Sequence, residues 1–347
     1  MVAGGQDVYN QNLWVGNHAL YGSTWIENPN YVYPLSTALL IVPFGLLDIR
    51  IASVVWLFFS LLAIIAGILL MLSLWQETNW QAYILPIVLG TFLFRPTFLI
   101  FLTGQIDGFL FCLLAGALYL FSHNKRGMAC FLLAFLVLKP NIGGPILALL
   151  LLYAIVKTNW REFGITLGTA LGILLLPLIY DPHWIGKYIL VGLHKSADTN
   201  LFPNLRGLAG LIVHESPLWT TLLWVLLGLI VLAILFIVYL KRPQKFNWST
   251  VLVVAIPATL LVTPYLRAYD LTFLLIPILE ITRHLAEKGT SFLKINLAYI
   301  GWSLLAFALL FFAVELNHDI FSVSLSILVF VILILKLCNS HGIDSID

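Results

Sequence analysis

The sequence predicts an all-α protein that crosses a membrane about eleven times and carries one further interfacial helix. Three observations point there. Of 347 residues, 61% are hydrophobic and only 10% charged, and a mean hydropathy of +1.00 gives most of the chain hydrocarbon rather than water as its solvent. Apolar runs near the length of a bilayer crossing recur from residue 54 to residue 337. The short loops rich in Lys and Arg alternate onto one side, as the positive-inside rule requires.

Residues 1–53 open polar: Gly4, Gly5, Gln6 and Asp7 stand where a secretory signal would place basic and apolar stretches. Within that segment, residues 35–47 are apolar only for the length of an interfacial or re-entrant helix. Pro34 and Pro43 punctuate the run, so it is not counted as a crossing. Crossings follow at residues 54–74, 82–102 and 106–121. The runs 128–138 and 142–156 are short and divided by Lys139, Pro140 and Asn141, which reads as a tight helical hairpin with a cation at its tip. Residues 163–180 form the next crossing. A second polar segment, 181–217, precedes crossings at 218–240, 251–266, 271–281, 295–314 and 320–337. The chain therefore reads as one integral membrane domain: outer segment 1–53, helices 54–180, outer segment 181–217 and helices 218–338.

Eleven of the 18 Lys and Arg residues lie in the loops at 123–126, 157–161, 241–245 and 283–294 and at Lys336. That side is assigned to the cytoplasm, which makes the chain a multi-pass protein of the cytoplasmic membrane. The other cations, Arg50, Arg95, Lys139, Lys187, Lys195, Arg206 and Arg267, fall outside or in the outer half of a span, against the rule. An outer N-terminal segment needs a crossing to deliver it, so the threading predicts one more transmembrane helix ahead of Met1.

Composition excludes several classes. A net charge of +2 with dispersed cations does not suit nucleic acid. Cys112, Cys130 and Cys338 lie within or at the end of apolar runs, where cysteine acts as a small hydrophobe, and no disulfide framework or metal-ligand spacing is present. No Gly-rich phosphate loop, Ser-His-Asp arrangement or metal-ligand cluster is present, which argues against a nucleotide-driven pump or a metalloprotease, and no cofactor is called for.

The outer helix ends carry the candidate chemistry. Asn28, Pro29, Asn30, Tyr31, Val32, Tyr33 and Pro34 read either as an aromatic belt or as the wall of a donor or acceptor groove. Arg95 in a span needs a polar cavity or a structural partner. Gly104 allows close backbone approach beside Gln105 and Asp107, which offer hydrogen bonds to a ligand, although Asp107 also suits a helix cap. Lys139 presents an ammonium fit for a phosphate, or for snorkelling to headgroups. Thr263, Pro264, Tyr265, Leu266, Arg267, Ala268, Tyr269 and Asp270 gather two tyrosines, a guanidinium and a carboxylate between apolar runs, with an Arg267–Asp270 pair as the plain alternative. In the second outer segment His183, Lys187, His194, Lys195 and Arg206 add donors, Arg206 above His194, and Asn200, Leu201, Phe202, Pro203 and Asn204 read as a turn before a helix.

In their order along essentially the whole chain, Ala3-Gly4-Gly5 with Tyr9, Tyr33-Pro34, Gly104-Gln105, Lys139-Pro140, Pro264 and Tyr269-Asp270-Leu271 running to Pro277 resemble glycosyltransferase family 87. These are integral membrane enzymes of the GT-C fold that include polyprenol-phosphate-mannose-dependent mannosyltransferases. The resemblance implies a GT-C-like fold with one more N-terminal crossing. It also implies a catalytic aspartate near the end of that first helix, which here precedes Met1, so the catalytic base is not named and Asp7 is not the matching position. Leu35 stands where members often carry a second proline, and Tyr265 where they often carry histidine.

The reading is an inverting hexosyltransferase, mannose being the expected sugar, using a polyprenyl-phosphate-sugar donor and a lipid or glycan acceptor on the outer face among membrane lipids, with no nucleic acid. A carboxylate would deprotonate the acceptor hydroxyl, and fixed cations would stabilise the departing phosphate. Arg206, Arg267, Lys139 and Arg95 are the phosphate candidates, and Tyr33, Gln105, Asp107, Tyr269 and Asp270 the sugar or acceptor candidates. The alternative is a non-enzymatic carrier or flippase for an anionic lipid or sugar, which would want internal repeats and midplane charges.

Overall fold

A computed structural model describes the chain except residues 2–3, 21–30, 76–78, 197–201, 215, 317–318 and 340–347. Among the described residues the protein is all-α with short 3₁₀ turns and no strand. In chain order the helices are α1 (Gln11–Leu20), α2 (Leu35–Gly45), α3 (Ile49–Ser73), α4 (Ile84–Leu93), α5 (Arg95–Thr103), α6 (Asp107–Ser122), α7 (Arg126–Ala134) and α8 (Pro140–Val156). The second half continues with α9 (Trp160–Leu175), α10 (Trp184–Ser196), α11 (Leu205–Ile212), α12 (Pro217–Lys241), α13 (Trp248–Val262), α14 (Leu275–Glu287), α15 (Phe292–Leu316) and α16 (Val323–Asn339).

Five stretches are long and apolar enough to cross a membrane: Ile49–Ser73, Trp160–Ile179, Pro217–Lys241, Phe292–Leu309 and Ile320–Cys338. The pair Trp80–Leu93 and Arg95–Thr103 makes a sixth if counted as one span, bent by 64°. By length and apolarity the described residues therefore supply fewer full spans than the eleven read from hydropathy. The remaining apolar helices, Leu35–Gly45, Asp107–Ser122, Arg126–Leu138, Pro140–Val156 and Trp248–Val262, are shorter.

Two expected crossings have a different form. The run 82–102 breaks at Phe94, whose backbone is extended, because Pro96 lacks the N–H that a continuous helix needs and fits only a first turn. The run 271–281 begins as a 3₁₀ segment, Ala268–Leu274, buried at every residue, before α14 takes over. The expected break at Lys139 is present: the 3₁₀ turn Phe135–Leu138 closes α7 and packs on α8, which begins at Pro140. Gly143 permits it, since a β-carbon there would sit 1.9 Å from the Leu136 carbonyl oxygen.

Burial sorts the helices. In α13 the side chains from Leu252 to Leu261 are all buried, so this helix and the Ala268–Leu274 segment form the central column, packed by α6, α8, α14 and α16. In α12 only Thr220, Gly228, Val231 and Val238 are buried, while Leu218, Leu222, Leu226, Leu229, Phe236 and Leu240 are exposed on its outer face. An apolar outer face of that kind is soluble only in lipid. A second, smaller core joins the two polar segments: Val8, Tyr9, Tyr31, Leu35 and Ala38 pack on Trp184 of α10. Lys187 fastens that cap by pairing with Asp7 at 2.8 Å and Asp181 at 2.7 Å.

Candidate functional site

Three chain turns deliver the central charges. Gly104, with φ of +63°, ends α5 in the left-handed conformation, and the Gln105 N–H returns to the Ile100 carbonyl at 3.1 Å. That turn places Gln105 beside the start of α6 and Asp107 in its first turn. Lys139, with φ of −134° and ψ of 77°, separates the 3₁₀ turn from Pro140, the first residue of α8. Asp270 lies in the buried 3₁₀ segment, where one carboxylate oxygen accepts the Arg267 backbone N–H at 2.7 Å.

The Lys139 ammonium donates to both oxygens of Asp107 at 2.7 Å and to Oδ1 of Asp270. Lys139 is 3% exposed and both aspartates are 0% exposed, so the three charges are shut away from water together. The Tyr269 ring lies under the ammonium with its centroid 4.7 Å away. All three N–H bonds of the ammonium are taken by carboxylate oxygens, which leaves none for a phosphate. Burying such a cluster is costly unless each member is paired, and here the cation is fully paired. Among the described residues no cluster of His, Cys, Asp and Glu could hold a metal ion.

A second layer surrounds the Thr263–Arg267 loop, which α13 leaves after Val262. Thr263 Oγ1 donates to the Asn141 carbonyl at 2.7 Å, and Asn141 Nδ2 returns a bond to the Tyr265 carbonyl at 3.2 Å. Asn204, the N-cap of α11, donates to the Thr263 carbonyl at 2.7 Å and accepts the Gly207 N–H at 2.9 Å. Two residues further on, Arg206 Nη1 donates to the Pro264 carbonyl at 3.2 Å. Arg267 Nε donates to the Tyr265 hydroxyl at 3.0 Å, and its guanidinium lies 5.5 Å from the Tyr265 ring and 5.8 Å from that of Phe202. Both arginines are half-buried, at the edge of the cluster rather than inside it. On another side the Tyr33 hydroxyl donates to Gln105 Oε1, and Tyr9 donates to the Tyr33 carbonyl at 2.9 Å. Thr37 of α2 ties the same wall to the Leu138 carbonyl at 2.7 Å.

Eight of the nine phosphate and sugar or acceptor candidates, Tyr33, Gln105, Asp107, Lys139, Arg206, Arg267, Tyr269 and Asp270, thus lie in one linked set of turns and helix starts. Arg95 does not join them. It sits at the opposite end of α5 from Gly104 and pairs with Asp319 at 2.7 Å, the structural partner that its place in an apolar span demands. The Arg267–Asp270 contact is a backbone cap and not the ion pair weighed from sequence. Asn141, Thr263 and Asn204 sit in the expected motifs, but their part in tying loops together depends on pairings about 60 to 120 residues apart. Ala3, Asn28, Pro29, Asn30, Asn200 and Leu201 lie outside the described residues, as do the side chains of His194 and Lys195.

The profile of glycosyltransferase family 87 matches residues 31–264. An alpha-(1->3)-arabinofuranosyltransferase of Mycolicibacterium smegmatis is 27% identical over 281 residues, a stretch that covers 78% of this chain and 61% of that protein. The chain therefore spans under two thirds of that relative's length. No solved structure matches the chain significantly.

Proposed function

The chain belongs to glycosyltransferase family 87, and from that premise we propose that it moves a hexose, mannose first, from a polyprenyl-phosphate-linked donor to a lipid or glycan acceptor on the outer membrane face. The carrying observation is the placement of two half-buried arginines, Arg206 at the start of α11 and Arg267 at the end of the Thr263–Arg267 loop that Arg206 bonds to, beside a rigid charged cluster. A phosphodiester leaving group gains negative charge as the glycosidic bond breaks, and guanidinium groups fixed beside it stabilise that charge without reorganising. Tyr33, Gln105 and Tyr269 are the contacts proposed for sugar or acceptor hydroxyls. Asp107 and Asp270 are assigned to orientation rather than proton transfer, because each is buried and held by Lys139. Lys139 and Arg95 leave the phosphate set, Lys139 because its donors are filled and Arg95 because Asp319 holds it.

The acceptor hydroxyl loses its proton to a carboxylate base and attacks the anomeric carbon in line, the carbon–oxygen bond to phosphate breaks, and the configuration inverts. No residue of the network is assigned as that base. The name of the mycobacterial relative favours a second donor, an arabinofuranosyl unit on the same class of carrier. Transfer of radiolabelled sugar from each donor to membrane lipid extract tests both readings, in membranes carrying this chain or the same chain extended at its N-terminus. Mannose transfer supports the first and arabinose transfer the second. With either donor, transfer that survives Arg206→Ala and Arg267→Ala unchanged would sink the phosphate assignment.

A further inference from the structure

Helix α6 begins at Asp107 in the charged cluster and runs 16 residues to Ser122, which is roughly 24 Å along the axis. At that far end the chain turns through Asn124 and Lys125 into α7, and a cleft of about 830 Å³ opens between the start of α7 and the start of α9. Its polar rim holds Lys125, Arg126 and Arg161 against a single acid, Glu162. None of the three cations makes an ion pair with another described residue. The Arg161 guanidinium lies 3.8 Å from the position a β-carbon on Gly127 would take, so α9 presents its charge directly over the first turn of α7. Below the rim the wall is apolar, formed by Leu120, Leu132 and Ile165 with Met128 and Phe131, the last two 59% and 47% exposed.

We propose that this cleft binds an anionic glycerophospholipid of the leaflet opposite the charged cluster. Three cations against one carboxylate leave an excess of two positive charges for a phosphodiester headgroup, and the exposed Met128 and Phe131 continue from the rim along α7 where an acyl chain would lie. A zwitterionic headgroup brings its own cation into the same rim and is disfavoured. Free phosphate satisfies the rim alone and leaves the apolar wall without an occupant. The site stands apart from the glycosyl-transfer reading, since nothing in it touches the outer loops.

The test uses the full chain purified in neutral detergent and titrated with phosphatidylglycerol, phosphatidylcholine or inorganic phosphate, retained lipid being counted by native mass spectrometry. Phosphatidylglycerol is expected to be retained in preference to phosphatidylcholine. Lys125→Gln, Arg126→Gln and Arg161→Gln should each weaken its retention roughly fivefold, the effect of about 1 kcal/mol per basic residue at an anionic lipid surface. The single variants keep the test valid if the triple variant is poorly folded. Lys241→Gln with Arg242→Gln, in another basic loop, should leave retention as it was. Equal retention of the two lipids, unchanged retention in all three single variants, or an equal loss in the Lys241 and Arg242 control overturns the site. Displacement of phosphatidylglycerol by an equal concentration of inorganic phosphate overturns the lipid.

Discussion

Cations of one formal charge do different work according to the atoms around them. Lys139 has three carboxylate oxygens for three N–H bonds, so its removal strands two buried aspartates. Lys139→Met should lower stability by about 3–5 kcal/mol, seen as a lower thermal midpoint in detergent, and adding Asp107→Asn and Asp270→Asn should restore much of it. Arg206→Ala and Arg267→Ala should leave that midpoint nearly unchanged while cutting turnover by about 10²–10³-fold in the labelled-sugar assay, as for other groups that stabilise a departing anion. A large fall in midpoint for the arginine variants would place them in the framework instead. The motifs around these residues were legible because charge is rare in an apolar chain. The partner of each was not: Lys139 and Asp270 are 131 residues apart, and only the topology brings them together.

At the scale of the element, the breaks in the helices carry as much as the helices. The apolar pattern around Arg95 reads as one continuous span, because Phe94 and Pro96 are both apolar and hydropathy does not register the lost N–H. The resulting bend puts Arg95 at the head of α5, against Asp319 just before the 3₁₀ turn that leads into α16. A double-mutant cycle of Arg95→Ala and Asp319→Ala, read by thermal unfolding, should give a coupling of about 0.5–3 kcal/mol, and additive losses would show the pair to be incidental. The cap around Trp184 is held by charge of another kind. Asp181 lies below the usual carboxylate range: its slight burial pushes up, but hydrogen bonds from Lys187 and the His183 N–H, with the Lys187 charge, outweigh it. Hydrogen bonds to Asp181 and Asp7 raise Lys187. The depressed carboxylate contributes above its ordinary pKa and is lost as pH falls through its folded value. The raised ammonium contributes below its ordinary pKa and is lost as pH rises through its folded one. Protection of the α10 amides, measured against the intrinsic exchange rate at each pH, should therefore be greatest between those limits and fall below about pH 4, and Lys187→Ala should reduce that acid dependence.

The whole molecule is ordered by its two solvents. Leu229 of α12 is 57% exposed, and in a water-soluble protein a charge there would change stability by only about 0.5 kcal/mol. In this chain Leu229→Arg should cost about 2.5–3.5 kcal/mol in a membrane-insertion assay, whereas an unchanged insertion efficiency would mean that α12 faces water. The all-α class and the lipid-facing helices were legible from composition, since hydrocarbon admits few other backbones. The short buried helices were harder to place, because α13 is shielded by its neighbours and need not match the bilayer in length.

Lys139 also sets an order of assembly. A growing chain reaches Asp107 and Lys139 within 32 residues of each other, so that pair can close as soon as α8 has emerged. Asp270 arrives only after α9 to α13 have been made, and it offers one carboxylate oxygen to Lys139 and the other to the Arg267 backbone N–H. The charged cluster is thus completed late, and a nascent protein stalled before residue 270 would carry most of its helices while lacking the cluster's second carboxylate.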